Sequence, residues 1–225
     1  MYFKYKNILF FPFLGIIIFC LPLSACFKNI PDRVIVYENN FEGTENSGLE
    51  IKGSNGIVDS LKKFKFNDTY VFGRFKDNAV ILNLKQIPTH NIIKIEFDLY
   101  LHDDWKGNFI APNTTVPDIW QMKLDNNPIY VTTFSNGSID QSFPNNYQTV
   151  LIKNKAFSNA WGKFSGVCSK ADKSDGTSYY KMEYLSGHKA SSIELLFQDV
   201  SFVQSTQCTK SWSIDNLRIT SINQL

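Results

Sequence analysis

With 225 residues, 43% of them hydrophobic and 15% aromatic, the chain can bury one sizeable core. Its formal net charge of +2 comes without any basic footprint or block of like charge, which argues against nucleic acid as a partner. Nineteen Phe and ten Tyr, together with many Ile, Val and Thr, favour strands.

The chain opens with Lys4 and Lys6, and from Ile8 to Leu23 it is apolar apart from Pro12, Gly15 and Pro22. That run falls short of the roughly 20 residues that span a bilayer. A basic start, a short apolar core and a small-residue exit describe an export signal. The exit, Leu23-Ser24-Ala25-Cys26, resembles the lipobox of bacterial lipoproteins. The resemblance implies removal of residues 1–25 and acylation of Cys26, and several acyl chains anchor stably where one is marginal. It also implies a place in the bacterial cell envelope. Phe27 stands where an aspartate would favour retention in the inner membrane, so an outer membrane is expected in an organism that has one. Residues 26–33 form the lipidated tether, and 34–225 are expected to be one domain. The removed segment holds two lysines and no acid, which leaves 21 basic and 21 acidic residues.

Strands are expected in chain order at Val34–Tyr37, Thr69–Phe72, Ala79–Leu84, Ile93–His102, Ile119–Leu124, Ile129–Phe134, Thr149–Ile152, Tyr179–Tyr184, Ser192–Phe197 and Trp212–Ile219. The clearest is Ile93–His102. Ile93, Ile95, Phe97, Leu99 and Leu101 fall on one face, and Lys94, Glu96, Asp98, Tyr100 and His102 on the other. Turn chemistry separates the runs, as at Asp77-Asn78, Asp125-Asn126-Asn127-Pro128, Asn136-Gly137 and Asp175-Gly176. A short helix is expected near Asn154–Asn159. Once Cys20 leaves with the signal and Cys26 takes lipid, Cys168 and Cys208 remain in an oxidising compartment and are expected to pair. Two separately buried thiols are the alternative.

Several short motifs occur in a fixed order. Phe41-Glu42-Gly43 opens the run and Ile214-Asp215-Asn216 closes it. Between them lie Asp104-Trp105-Lys106-Gly107, Pro117-Asp118-Ile119-Trp120, Thr132-Thr133-Phe134-Ser135-Asn136 and Gln141-Ser142-Phe143-Pro144. The series resembles secreted bacterial jelly-roll domains of the concanavalin A-like or carbohydrate-binding-module kind, over about residues 35–220. It implies a single all-β jelly-roll sandwich. It also implies a structural calcium shared by Glu42 and Asp215, since such modules commonly hold one with their opening Glu and closing Asp. Lys106 stands where the pattern has aspartate. Asp103, Asp104 and Asp118 form a second acidic set that could take a cation.

Sugar rings stack on exposed aromatics. Trp105, in an acidic turn, is the candidate platform, with Asp98, Asp104 and Asp118 as polar ligand contacts, and loop residues Phe143, Pro144 and Tyr147 could also be exposed. Trp120 and Trp212 lie inside strands and are expected in the core. Glu96 and Asp98 resemble part of the laminarinase-type Glu-x-Asp-x-x-Glu strand, but Leu101 and His102 occupy the position of its second glutamate. Hydrolysis needs a carboxyl group on each side of the scissile bond, so no catalytic residue is assigned. His90, His102 and His188 lack zinc-like spacing and are expected at the surface. The leading expectation is a membrane-anchored, non-catalytic surface or periplasmic binding lipoprotein, with a polysaccharide or surface glycan as its candidate ligand. Its rivals are a glycan hydrolase of the same fold and an adhesive surface protein with no small-molecule site.

Overall fold

The computed structural model describes residues 2, 31–44, 48–53, 56–57, 62–148, 152–201 and 206–224. Cys26 and nearly all of the expected export signal lie outside the described residues. Among those described, no helix is long and apolar enough to cross a membrane.

Thirteen strands are described: β1 (Asp32–Asn39), β2 (Leu49–Gly53), β3 (Gly56–Ile57), β4 (Lys63–Phe66), β5 (Thr69–Phe75), β6 (Ala79–Lys85), β7 (Ile92–Asp103), β8 (Ile119–Leu124), β9 (Asn127–Thr132), β10 (Gly162–Phe164), β11 (Thr177–Gly187), β12 (Ser192–Val200) and β13 (Lys210–Asn223). They form two antiparallel sheets. One runs β10-β11-β7-β13-β5-β4, with β1 also paired to β13, and the other runs β3-β2-β6-β12-β8-β9. The result is an all-β sandwich.

The alternation of β7 explains its place at the centre of the larger sheet. Ile93, Ile95, Leu99 and Leu101 are fully buried and Phe97 is 3% exposed. This row meets the inner face of the smaller sheet, where Phe97 packs edge-on against Phe197 with centroids 5.0 Å apart. Trp120 and Trp212 are both fully buried, as their strand positions require. Each large apolar side chain withdrawn from water contributes roughly 1.5–3 kcal/mol.

Cys168 and Cys208 form a disulfide, with Cα atoms 5.0 Å apart and 40 residues between them in sequence. Other expectations differ from what is found. Ile152, the one described residue of the strand expected at Thr149–Ile152, lies in no strand, and residues 156–159 form turns, not a helix. β2, β3, β4 and β10 were not foreseen. They have two to five residues each, too few to show a period.

Candidate functional site

The outer face of the seven-stranded sheet carries the second half of the β7 alternation, and strand pairing sets it in rows. Lys181 on β11 lies opposite Asp98, and Asp98 lies opposite Asp215 on β13. In the next row Glu183, Glu96, Arg218 and, on β1, Glu38 follow one another. On the other side of the Asp98 row, Tyr179 and Tyr100 stack with centroids 4.9 Å apart. A groove of about 400 Å³ opens over the two charged rows, with Asn39, Asn40 and Asn216 on its wall.

Most charges in the groove are already matched. Lys94 Nζ lies 2.7 Å from Glu96 and 3.0 Å from Glu183. Asp98 accepts from the Tyr179 hydroxyl at 2.8 Å and from Asn216 Nδ2 at 2.8 Å. Burial, then the nearby Asp98 carboxylate, holds the Tyr179 and Tyr100 phenols above their ordinary range, so both stay protonated donors. Trp161, just before the edge strand β10, is 69% exposed. Lys181 Nζ sits 4.7 Å from its ring centroid, which ties the indole to the groove.

His102 cannot act as an acid or base toward Glu96 and Asp98. It is fully buried rather than at the surface, between Thr177 Oγ1 at 3.1 Å and Ser213 Oγ at 2.9 Å. Burial pushes its pKa down to about 3 and keeps the ring neutral. Phe66 covers it, with centroids 5.0 Å apart. His90 is also buried, at 4% exposure, against the expectation of a surface residue.

Glu42, just after β1, and Asp215 meet through Thr69. The Thr69 hydroxyl donates to Glu42 Oε1 and lies 3.5 Å from Asp215 Oδ2. Backbone amides bind the same carboxyls, Tyr70 N to Glu42 at 2.8 Å and Asn216 N to Asp215 at 2.7 Å. These bonds lower the Glu42 pKa, that from Thr69 most. Asp215 is 2% exposed, and burial, with Asp98 and Glu42 adding negative charge, raises its carboxyl to about 7. The excess negative charge fits a cation. Even so, no group of three or more His, Cys, Asp or Glu side chains able to hold a metal together occurs among the described residues.

Three expected contacts do not reach this face. Trp105 is 1% exposed, its Nε1 donating to Ser211 O at 2.9 Å and its ring beneath Lys210 Nζ at 4.9 Å. The turn after it closes at Gly107, at φ 59°, where a Cβ would stand 2.2 Å from the Asp140 carbonyl oxygen, so only glycine fits there. The acids around it are taken by lysines, so they do not form one cation set. Asp104 pairs with Lys170 at 3.1 Å and Lys106 at 3.2 Å, while Asp118 pairs with Lys210 at 2.7 Å. Asp103 is fully buried, and its Oδ1 accepts from the amides of Cys168 and Lys170 at 3.0 Å each. Phe143 is 7% exposed and belongs to the core. Of the expected ligand contacts, only Asp98 lines the groove.

No family model and no curated protein matches the chain. Among solved structures it is similar to a family GH115 4-O-methyl-alpha-glucuronidase with specificity for decorated arabinogalactans, at 12% identity and a TM-score of 0.32. The match covers 84% of this chain and 18% of that one, so the chain spans under a fifth of that enzyme's length. At that score the likeness carries no functional argument.

Proposed function

We propose that this is a non-catalytic glycan-binding protein, held in the bacterial envelope by lipid on Cys26, with the outer face of its seven-stranded sheet as the binding surface. The observation that carries this reading is Trp161, a 69% exposed indole at the rim of a polar groove. An indole offers a flat π face to the apolar C–H face of a sugar ring. Within the groove, the exposed amides of Asn40 and Asn216 and the carboxylate of Asp98 are the polar groups that sugar hydroxyls would meet. Glu42 and Asp215, with Thr69 between them, would hold a calcium ion, which would neutralise the buried acid and fix the first strand to the last.

A glycan array with the purified protein, repeated with Trp161→Ala, tests the surface. Binding that survives the substitution unchanged would sink the assignment to this face. Incubation with a broad polysaccharide panel tests the absence of hydrolysis, and turnover that vanishes in Glu96→Gln would replace binding with catalysis. Labelled palmitate should enter the protein and not a Cys26→Ala variant. Chelator should lower the melting temperature and calcium restore it by mass action. An unmoved melting curve would remove the ion.

A further inference from the structure

Two of the three histidines, His90 and His188, face each other at the end of the sandwich where β1 begins. His90 lies in the β6–β7 connection and His188 follows β11. Their rings are nearly parallel, 12° apart, with His90 Nε2 and His188 Nδ1 separated by 2.7 Å. His90 is 4% exposed and the His188 side chain 8%.

The outer nitrogens decide what the inner ones can be. His90 Nδ1 lies 2.6 Å from the Pro88 carbonyl oxygen, which can only accept, so this nitrogen carries the hydrogen. His188 Nε2 lies 3.0 Å from Asp125 Oδ2, and a carboxylate likewise only accepts. In the neutral rings, both inner nitrogens therefore present lone pairs to each other. Asp125 is itself fixed, its Oδ1 accepting the Glu194 amide at 2.9 Å and its own amide donating to the Glu194 carbonyl at 2.8 Å. A metal-bound histidine almost always gives its other N–H to a carboxylate or a backbone carbonyl, and here each ring does one of these.

We propose that His90 Nε2 and His188 Nδ1 bind a transition-metal ion that prefers imidazole, of the zinc or copper class, with Asp125 and the Pro88 carbonyl orienting the rings. Imidazole suits these ions, and carboxylate and carbonyl oxygens suit calcium and magnesium, so the site is chemically distinct from the Glu42–Asp215 pair. At Zn–N distances of about 2.0–2.1 Å a tetrahedral ion holds two nitrogens roughly 3.3 Å apart. Binding therefore opens the pair by roughly 0.6 Å, with water completing the coordination. The two ligands lie in connections that cross between the sheets, His90 in β6–β7 and His188 in β11–β12. The His188 amide bonds the Asn91 carbonyl at 3.1 Å and the Ile87 amide bonds the Ser191 carbonyl at 2.9 Å, so an ion here staples these two connections, with Asp125 of the β8–β9 turn held to them through His188.

The test adds zinc to the full-length protein and follows both the melting temperature and the imidazole nitrogen resonances. One equivalent of zinc should raise the melting temperature and shift the signals of both rings, while magnesium should do neither. His90→Asn and His188→Asn should abolish the effect. Asp125→Asn, which keeps both ligands, should weaken zinc affinity by about 10–100-fold. If His90→Asn fails to fold, cobalt added to the unaltered protein gives a second reading, through visible absorption bands that zinc displaces. Unmoved ring signals under excess zinc would overturn the proposal. So would an N–H–N proton resonance that persists under excess zinc, which would mean that the pair holds a shared proton only.

Discussion

Asn136 and Asn216 are both asparagines at the ends of sheet pairings, and their amides do different work. Asn136 is 2% exposed; its Nδ2 donates to the carbonyls of Leu101 at 2.7 Å, Asp103 at 3.0 Å and Gly176 at 3.2 Å, and its Oδ1 accepts from Ser178 at 2.6 Å. Gln141 is similar, holding Ser135, Phe143, Phe157 and Ser158 through its one amide. Asn216 is exposed and bonds Asp98 at 2.8 Å at the side of an open groove. The loops around Asp103 thus bury their polar groups and bond most of them, Asp103 Oδ2 and Ser135 Oγ being buried without a partner, since an unpaired buried group costs stability. The outer sheet face keeps donors and acceptors at the surface. The ordered motifs fall mainly in the first region, so they report on scaffold, and the second region must be found by exposure.

The comparison breaks if the loop region proves dispensable or the sheet face proves structural. The largest expected effect is at Lys210, which is 1% exposed and paired with Asp118 at 2.7 Å. Lys210→Ala should lower unfolding free energy by roughly 3–5 kcal/mol, because it leaves a carboxylate without its partner. Chemical denaturation measures this, and a loss under about 1 kcal/mol would show that the region is tolerant. Opening the Cys168–Cys208 bond with Cys208→Ala should cost about 4 kcal/mol by loop entropy, read in the same assay.

Asp215 sharpens the boundary between the regions. Its folded carboxyl titrates at about 7 and its unfolded one near 3.8, so the folded state binds the extra proton between those values. The stability it confers is complete below the unfolded value and is lost as pH rises toward 7, by roughly 2–4 kcal/mol. Asp215→Asn should flatten that slope in melts across pH 4–8, and an unchanged slope would assign the linkage elsewhere. The smallest stability effect belongs to Trp161. Trp161→Ala should change unfolding by under about 0.5 kcal/mol while weakening glycan binding about tenfold. Equal damage to both would make Trp161 scaffold.

The β7 period was legible because each of its residues meets a different environment on the two faces. Trp105 was not, since acidic neighbours suggest a wet turn, whereas the ring lies beneath Lys210 and bonds Ser211, a residue 106 positions away in sequence. The histidines failed for a related reason. Positions 90 and 188 share no local spacing, and their meeting depends on how β6–β7 and β11–β12 are brought to one end. Trp161 carries no period because it precedes a three-residue edge strand. Asn216 stood in the closing motif, but its outward amide follows from φ 51° at the irregularity between Asp215 and Arg218.

The pairing of Asp32 with Asn223 sets the start of β1 beside the start of β7 at Ile92. Under the proposed lipid anchor on Cys26, a few residues before β1, the strands would rise from the bilayer, and the 12 residues of β7 reach roughly 40 Å along their length. The rows of Asp98 and Glu96 cross the strands and would then run parallel to the membrane. A polymer lying in the groove would be held lengthwise along the cell surface, like a rope against a fence, rather than pointing away from it. Long glycans could then pass through at both edges without a free end, and neighbouring copies could hold one chain at successive points.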